Sequence, residues 1–417
     1  MKNVYAISRI LVGLVFTFSG FVKAVDPMGS TFKFKDYFSA FHMEVLAPMA
    51  LTLAIVLSTL EFVVGVALLF NARTRIASWG ALLFMSIFTP LTLVLALTNP
   101  VTDCGCFGDA LILTNWETFG KNIVLMFLTL IIFKHSKKMV LTSSVKEQLL
   151  LLSFAILFSV GISFYGLSHL PLIDFRPYHV GANIEDGMKI PPGAPSDQYK
   201  SIFIYQKDGV SKEFDESNYP WQDSTWKFVD AKQIKTKEGY HPPIHDFSIS
   251  NDAQGDITDL ILKDKGYTFV VVSRNLEELD PKYQKQINEL ASFCQVQGYG
   301  FIGLTASMEN QIKTFKEVHN VPFTFYNTDE IQLKTIIRAN PGLILLQQGT
   351  ILEKWHPNDL PEVEQLQRNL TALSLTQGQK KENRLIIICI TSTLLLLLCF
   401  YQMIKYRSIA IKNRLRL

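Results

Sequence analysis

Six apolar stretches, at residues 4–22, 48–70, 76–97, 116–133, 148–167 and 385–404, dominate this chain. Each is close to the ~20 residues that a helix needs to cross a bilayer. In hydrocarbon every backbone amide needs an internal partner, so these stretches are expected to be helices. The first has no small-residue cleavage site and runs directly into Lys23 and Asp26. It is therefore expected to be a retained span rather than a signal peptide. Between residues 171 and 382 the chain is polar and of ordinary globular character, which the overall 48% hydrophobic content conceals. The net charge of +3 is small and by itself says nothing about nucleic acid; no nucleic-acid partner is expected.

The positions of the cations predict an orientation. Arg73 and Arg75 follow the second span, and Lys134, Lys137, Lys138 and Lys146 separate the fourth from the fifth. Lys405, Arg407, Lys412, Arg414 and Arg416 follow the sixth. The positive-inside rule puts all three clusters in the cytoplasm if both termini are cytoplasmic. Lys23, Lys33 and Lys35 dissent, offset by Asp26, Asp36 and Glu44. The loop 99–115 has no Lys or Arg, so it and the large polar region are expected outside, on the oxidising face of the membrane.

That loop reads Asp103-Cys104-Gly105-Cys106-Phe107-Gly108-Asp109. Outside the cytoplasm disulfides persist. Two residues apart, the cysteines can reach the roughly 4.4–6.8 Å Cα separation of a disulfide if Gly105 turns the chain. A bridge that small closes almost no loop and adds little stability, which favours exchange chemistry over a structural role. Asp103 and Asp109 are expected to oppose thiolate formation. A metal site shared with a partner and an inert turn are the other readings; no resident metal is expected, because two thiolates without a histidine are too few for a closed zinc site. Cys294 is expected in a helical core, and Cys389 and Cys399 as small apolar residues of the sixth span.

Spans one to four, joined by short connections, are expected to form a four-helix bundle over residues 1–140, followed by a fifth span at 146–168 and a sixth at 384–404. Gly13, Ser19, Gly20, Gly65 and Ala67 allow close helix approach. Glu61, inside the second span, either handles protons or is a protonated carboxyl bonded to a neighbouring helix. Asn122 either cross-links helices or shares Glu61's polar role. Lys23 and Lys121 are expected to snorkel to the interface.

Gly13, Ser19, Gly20 and Lys23, then Glu61-Phe62-Val63-Val64-Gly65 with Arg75, then Cys104-Gly105-Cys106-Phe107-Gly108 and Lys121-Asn122 resemble the DoxX/MauE family of four-span membrane proteins, over residues 4–135. The resemblance implies maturation of disulfide-rich periplasmic proteins or quinone-coupled oxidation of sulfur compounds. On that reading Cys104 and Cys106 are catalytic, and Glu61 and Asn122 lie near a quinone. The bundle is also similar to vitamin K epoxide reductase-like enzymes, which use two cysteine pairs; here the bundle has one.

In the polar region, residues 201–205 and 210–214 flank Asp208-Gly209 and predict a β-hairpin within a linker at 171–242. From 243 to 362 strands at 267–273, 300–304 and 323–326 alternate with helices at 281–296, 309–319 and 331–337, and a hairpin at 343–347 and 351–355 closes the series. This α/β order resembles a thioredoxin-like domain. Asn340-Pro341 matches its cis-proline segment, so a structural cis peptide is expected at Pro341. The position of the family's Cys-x-x-Cys is Ser273-Arg274-Asn275-Leu276, without cysteine. The expected whole is a membrane thiol–disulfide oxidoreductase whose partners are the bilayer, a periplasmic client or redox protein and a quinone; the alternative is a non-enzymatic scaffold or maturation factor.

Overall fold

The computed structural model describes residues 2–101, 103–136, 144–237, 239–368 and 370. Among these, five helices are long and apolar enough to cross a membrane, and the chain is a multi-pass membrane protein. They are α1 (Lys2–Val25), α3 (Ala50–Leu69), α4 (Thr74–Thr98), α5 (Asn115–His135) and α6 (Val145–Ser168). The sixth apolar stretch, with Cys389 and Cys399, lies outside the described residues. The starts of α5 and α6 are written locally. Thr114 and Ser144 each accept from the amide three residues on, and Glu117 and Glu147 reach back to close a capping box.

α1 lies directly on α3. A Cβ on Gly20 would come within 2.4 Å of the Phe62 nitrogen, and one on Gly65 within 2.3 Å of the Thr17 nitrogen. Only hydrogen fits at these two crossings, as in other small-residue contacts in lipid. α6 joins the same assembly. Thr59 and Ser159 share a hydrogen bond of 3.1 Å, Ser163 donates to the Ala24 carbonyl, and Phe158 stacks on Phe62 and Phe21. The membrane part is thus five packed helices, where the sequence predicts four with the fifth apart. Between α1 and α3 the chain forms a further helix, α2 (Pro27–Ala40), in what reads from sequence as a plain loop. Asp26 caps it and Pro27 opens it, the preferred chemistry of a helix start.

Beyond α6 the chain is mixed α/β. α7 (Ile184–Met188) precedes a three-stranded antiparallel sheet of β1 (Gln198–Lys207), β2 (Val210–Asp215) and β3 (Lys227–Lys237), in the order β2-β1-β3. The expected hairpin is there, and β3 extends it. A second sheet contains β4 (Ser250–Asn251), β5 (Gly255–Asp256), β6 (Thr268–Ser273), β7 (Gly300–Thr305), β8 (Thr324–Asn327), β9 (Gly342–Gln347) and β10 (Thr350–Trp355). Its order is β10-β9-β6-β7-β8-β4-β5, with β6, β7 and β8 parallel and β9 and β10 antiparallel. α8 (Thr258–Leu262), α9 (Gln284–Gln297), α10 (Glu309–His319), α11 (Glu330–Ile336) and α12 (Val363–Arg368) complete this part. The Asn340–Pro341 peptide is cis.

Every residue of β6 is buried, as expected for a strand covered on both faces. The period of two sends Phe269 and Val271 into a cluster with Ile287, Leu290 and Cys294 of α9. Val270 and Val272 face the other cluster, with Leu333 and Ile336 of α11. Cys294 is fully buried, and that burial pushes its thiol up to about 12. Tyr178 and Ile184, which fall in the expected linker, belong to the second cluster. The segment leaving α6 is pinned there by Asp174, which receives Arg176 at 2.7 Å and Lys354 at 2.8 Å, both cations buried and the Asp174 side chain only 8% exposed.

Candidate functional site

The loop between α4 and α5 is fastened at both ends. Asn99 terminates α4 in the left-handed region, and Asn115 donates to the Asn99 side chain and to the Val101 carbonyl. Within the loop Gly105 has φ 65° and passes under Lys33, whose Cγ lies 2.8 Å from where a Cβ would be. Its amide donates to the Asp103 carboxylate at 2.8 Å. The turn brings the Cys104 and Cys106 sulfurs to 2.9 Å with both thiols free, well beyond the ~2.05 Å of an S–S bond. Ser19 of α1 donates to the Cys106 carbonyl, and Tyr37 of α2 to the Cys104 carbonyl at 2.6 Å. The dithiol is therefore held by two helices as well as by its own loop.

Charged groups converge on it. Lys23 of α1 and Glu61 of α3 form an ion pair at 2.8 Å. Lys23 therefore does not snorkel: it donates to Glu61 of the neighbouring helix, and each side chain satisfies the other. Lys121 stands 4.4 Å above the Phe107 ring, turned toward the loop rather than away from it. Lys33 pairs with Asp103 at 3.0 Å. From the α/β part, Arg338 reaches across to Asp109 at 2.6 Å and to Asp26 at 2.9 Å. Both acids that flank the cysteines are thus paired with cations.

The two thiols are driven apart in acidity. The hydrogen bond between them raises Cys104 and, together with burial, keeps it a thiol. The same bond pulls Cys106 down against its burial, with Lys121 and Lys23 adding to the pull. The flanking acids, expected to oppose a thiolate, each face a cation, Lys33 for Asp103 and Arg338 for Asp109. Burial raises Tyr37, which stays a neutral donor.

Cys104, Cys106, Glu61 and Asn122 all line one cleft of about 820 Å³ within the helices, walled by Phe16, Phe84 and Phe88. Asn122 also donates to Thr92 at 3.1 Å and to the Phe88 carbonyl at 3.4 Å, so it ties α5 to α4. Pro341 is not in the cleft. A second space of about 490 Å³ lies outside the loop and shares Lys23, Ser30, Lys33 and Gly105 with the first. Tyr37 and Arg338 are unmarked in the sequence, and Lys33 reads there only as a loop cation. The Asp26-Pro27 helix start could have signalled α2 and its residues; nothing local marks Arg338.

The α/β part meets the membrane part through the end of its sheet that carries Pro341. Phe32 of α2 is enclosed by Arg274, Lys334 and Arg338, each 5.4–5.5 Å from its ring centre. Behind them Ser273 donates to the Asn340 side chain at 2.9 Å, and Asn340 donates to the Asn275 carbonyl at 3.0 Å.

No curated protein and no solved structure matches the chain. Residues 199–238, the three-stranded sheet, match a domain of unknown function (DUF8463). Residues 1–135 match the family described as methylamine utilisation protein MauE, so the N-terminal part of this chain is a MauE-family membrane domain.

Proposed function

We propose that this protein is a membrane thiol–disulfide redox protein acting through Cys104 and Cys106 on the outer, periplasmic side of a bacterial inner membrane. The observation that carries the reading is the dithiol itself: two free thiols 2.9 Å apart, of opposite acidity shift, on a cleft that also contains Glu61. Cys106, as thiolate, is the exchanging sulfur. In oxidation of the pair, the Cys104 thiol and the Cys106 thiolate form one S–S bond and release two electrons and one proton. A quinone of the membrane accepts these, takes a second proton from water along a path through the Lys23–Glu61 pair, and becomes a quinol. The aromatic walls of the cleft and the polar groups among them suit a flat ring with carbonyl oxygens. The dithiol is regenerated by exchange with the thiols of a client or partner protein, which leaves that protein oxidised.

The parallel β6-β7-β8 run, the antiparallel β9-β10 and the Pro341 peptide support reading the α/β part as a thioredoxin-like domain without its cysteines, which seats on α2 and serves as a docking module. The family's link to methylamine utilisation fits maturation of a disulfide-containing periplasmic protein. The absence of cysteine at Ser273–Leu276 favours, as a second reading, a scaffold that binds its partner without exchange.

Trapping thiols in living cells with an alkylating reagent tests the function. Cys104 and Cys106 should be found in both redox states, and Cys104→Ser should lower client disulfide content. A pair that never changes state, with client disulfides intact in Cys104→Ser, leaves only the scaffold.

A further inference from the structure

The membrane part alone surrounds the dithiol with more negative than positive charge. α1 contributes Lys23, α2 Lys33, Asp36 and the neutral Tyr37, α3 Glu61, and α5 Lys121. The loop adds Asp103 and Asp109, and the α1–α2 junction adds Asp26. The exit segment brings Arg176, which is hydrogen-bonded to Asp174. With the Arg176–Asp174 pair set aside, five carboxylates thus face three lysines among these groups. The missing cations come from the α/β part, as Arg338 and Lys334 beside Phe32.

Arg338 is built for this contact. Its side chain is 7% exposed, its Nη1 donates to the Lys334 carbonyl, and its other two nitrogens take Asp26 and Asp109. A planar guanidinium can hold two carboxylates at once where an ammonium would not. Burial pushes Asp109 up while Arg338 opposes it, and Asp26 is held down by the same guanidinium against its own burial.

We propose that Arg338 is a positioning residue of the dithiol site, supplied by the α/β part, which neutralises Asp109 and Asp26 and so keeps Cys106 in a field that favours its thiolate. The residue touches neither sulfur. It acts through the acid three residues beyond Cys106, and the membrane domain without the α/β part holds an incomplete site. This deepens the redox reading of Cys106 and rests on it for its biological use, although the electrostatics can be tested without it.

The test uses full-length protein in detergent, fully reduced, with the rate of iodoacetamide alkylation of Cys106 followed against pH by mass spectrometry of the peptide. Arg338→Ala should move the midpoint up by about half to one pH unit, a roughly three- to tenfold slower reaction below both midpoints. Asp109→Asn breaks the same contact but removes the opposite charge, so its midpoint should move down. In the double variant the Arg338→Ala shift should shrink. A merely structural contact would move both single variants in the same direction. That result, or two unmoved midpoints, overturns the proposal. The profile needs neither partner nor quinone, so thiols that never cycle in cells would sink the redox function and leave the role of Arg338 standing.

Discussion

Glu61 and Lys23 face each other at 2.8 Å between α3 and α1, with side chains only 14% and 19% exposed, on the cleft that also holds Cys104 and Cys106. A carboxylate or an ammonium alone at this depth is costly, and the pair offsets that cost. Removing one partner leaves the other buried and unpaired. Glu61→Leu or Lys23→Met should each lower stability by about 2–4 kcal/mol, and the double variant should recover much of the loss. Thermal unfolding of the three variants in detergent measures this. A double variant that loses the sum of the two singles would show that the ion pair is not the relevant interaction.

On the proposed redox function, the opposite acidity shifts of the two thiols assign them different work. Cys106 should be the sulfur that forms mixed disulfides, so Cys104→Ala should accumulate a covalent adduct with a partner or with glutathione, and Cys106→Ala should not. Cys104→Ala also removes the hydrogen bond that pulls Cys106 down. Alkylation of the remaining thiol should then need a higher pH than in the native chain. Non-reducing gels with pH-dependent labelling decide both points; adducts confined to Cys106→Ala would reverse the assignment.

Gly105 combines a left-handed backbone with the close passage of Lys33. Gly105→Ala should cost about 1–2 kcal/mol in backbone strain. The loop can relieve that strain only by turning the cysteines apart. Air or diamide oxidation of the reduced protein should form the Cys104–Cys106 bond more slowly in this variant while the helix content is retained. Oxidation at the native rate would mean that the turn is not what brings the sulfurs together.

Much of the fold was legible because its signals are local. Each described span is set by apolar length, Thr114-x-x-Glu117 and Ser144-x-x-Glu147 announce two of the helix starts, and the period of two in residues 268–273 separates the two faces of a buried strand. In the site, the Cys104-Gly105-Cys106 spacing pointed to the dithiol and Glu61 stood out as an acid inside a span. What surrounds them was not legible. Lys23 lies 38 residues from Glu61, and Arg338 lies 229 residues from Asp109. Nothing in either neighbourhood marks the partner, since a lysine at a helix end serves equally well as an interfacial anchor. The acids flanking the cysteines read as hostile to a thiolate because their cations come from elsewhere in the chain.

Gly65 is a packing requirement of the membrane part, with Thr17 backbone atoms where its side chain would be. Gly65→Val should push α1 from α3 and cost about 1–3 kcal/mol or more, because backbone on the facing helix cannot move aside as a side chain could. The neighbouring Glu61–Lys23 pair lies on the same two helices and should loosen with it. Unfolding in detergent and cysteine cross-linking between the helices would both report the change; native stability would mean that the two helices can slide without loss.

Asp174 makes the junction between α6 and the α/β part sensitive to acid. Burial alone would favour its neutral form, but Lys354 and Arg176 hold its carboxyl well below the usual range. A folded-state value below the unfolded one means that the ionised carboxylate contributes stability above the ordinary carboxylate value of about 4, and that the contribution drains away as pH falls further. The two cations are then left buried, with side chains 2% and 3% exposed. Asp174→Asn places the protein in that state at every pH and should cost about 3 kcal/mol at neutral pH. Hydrogen exchange at residues 176–184 and 350–355 should quicken in the native chain on acidification below about pH 4, and should already be quick, with little further change, in Asp174→Asn. Equal acid sensitivity in the two chains would assign the response to another carboxylate.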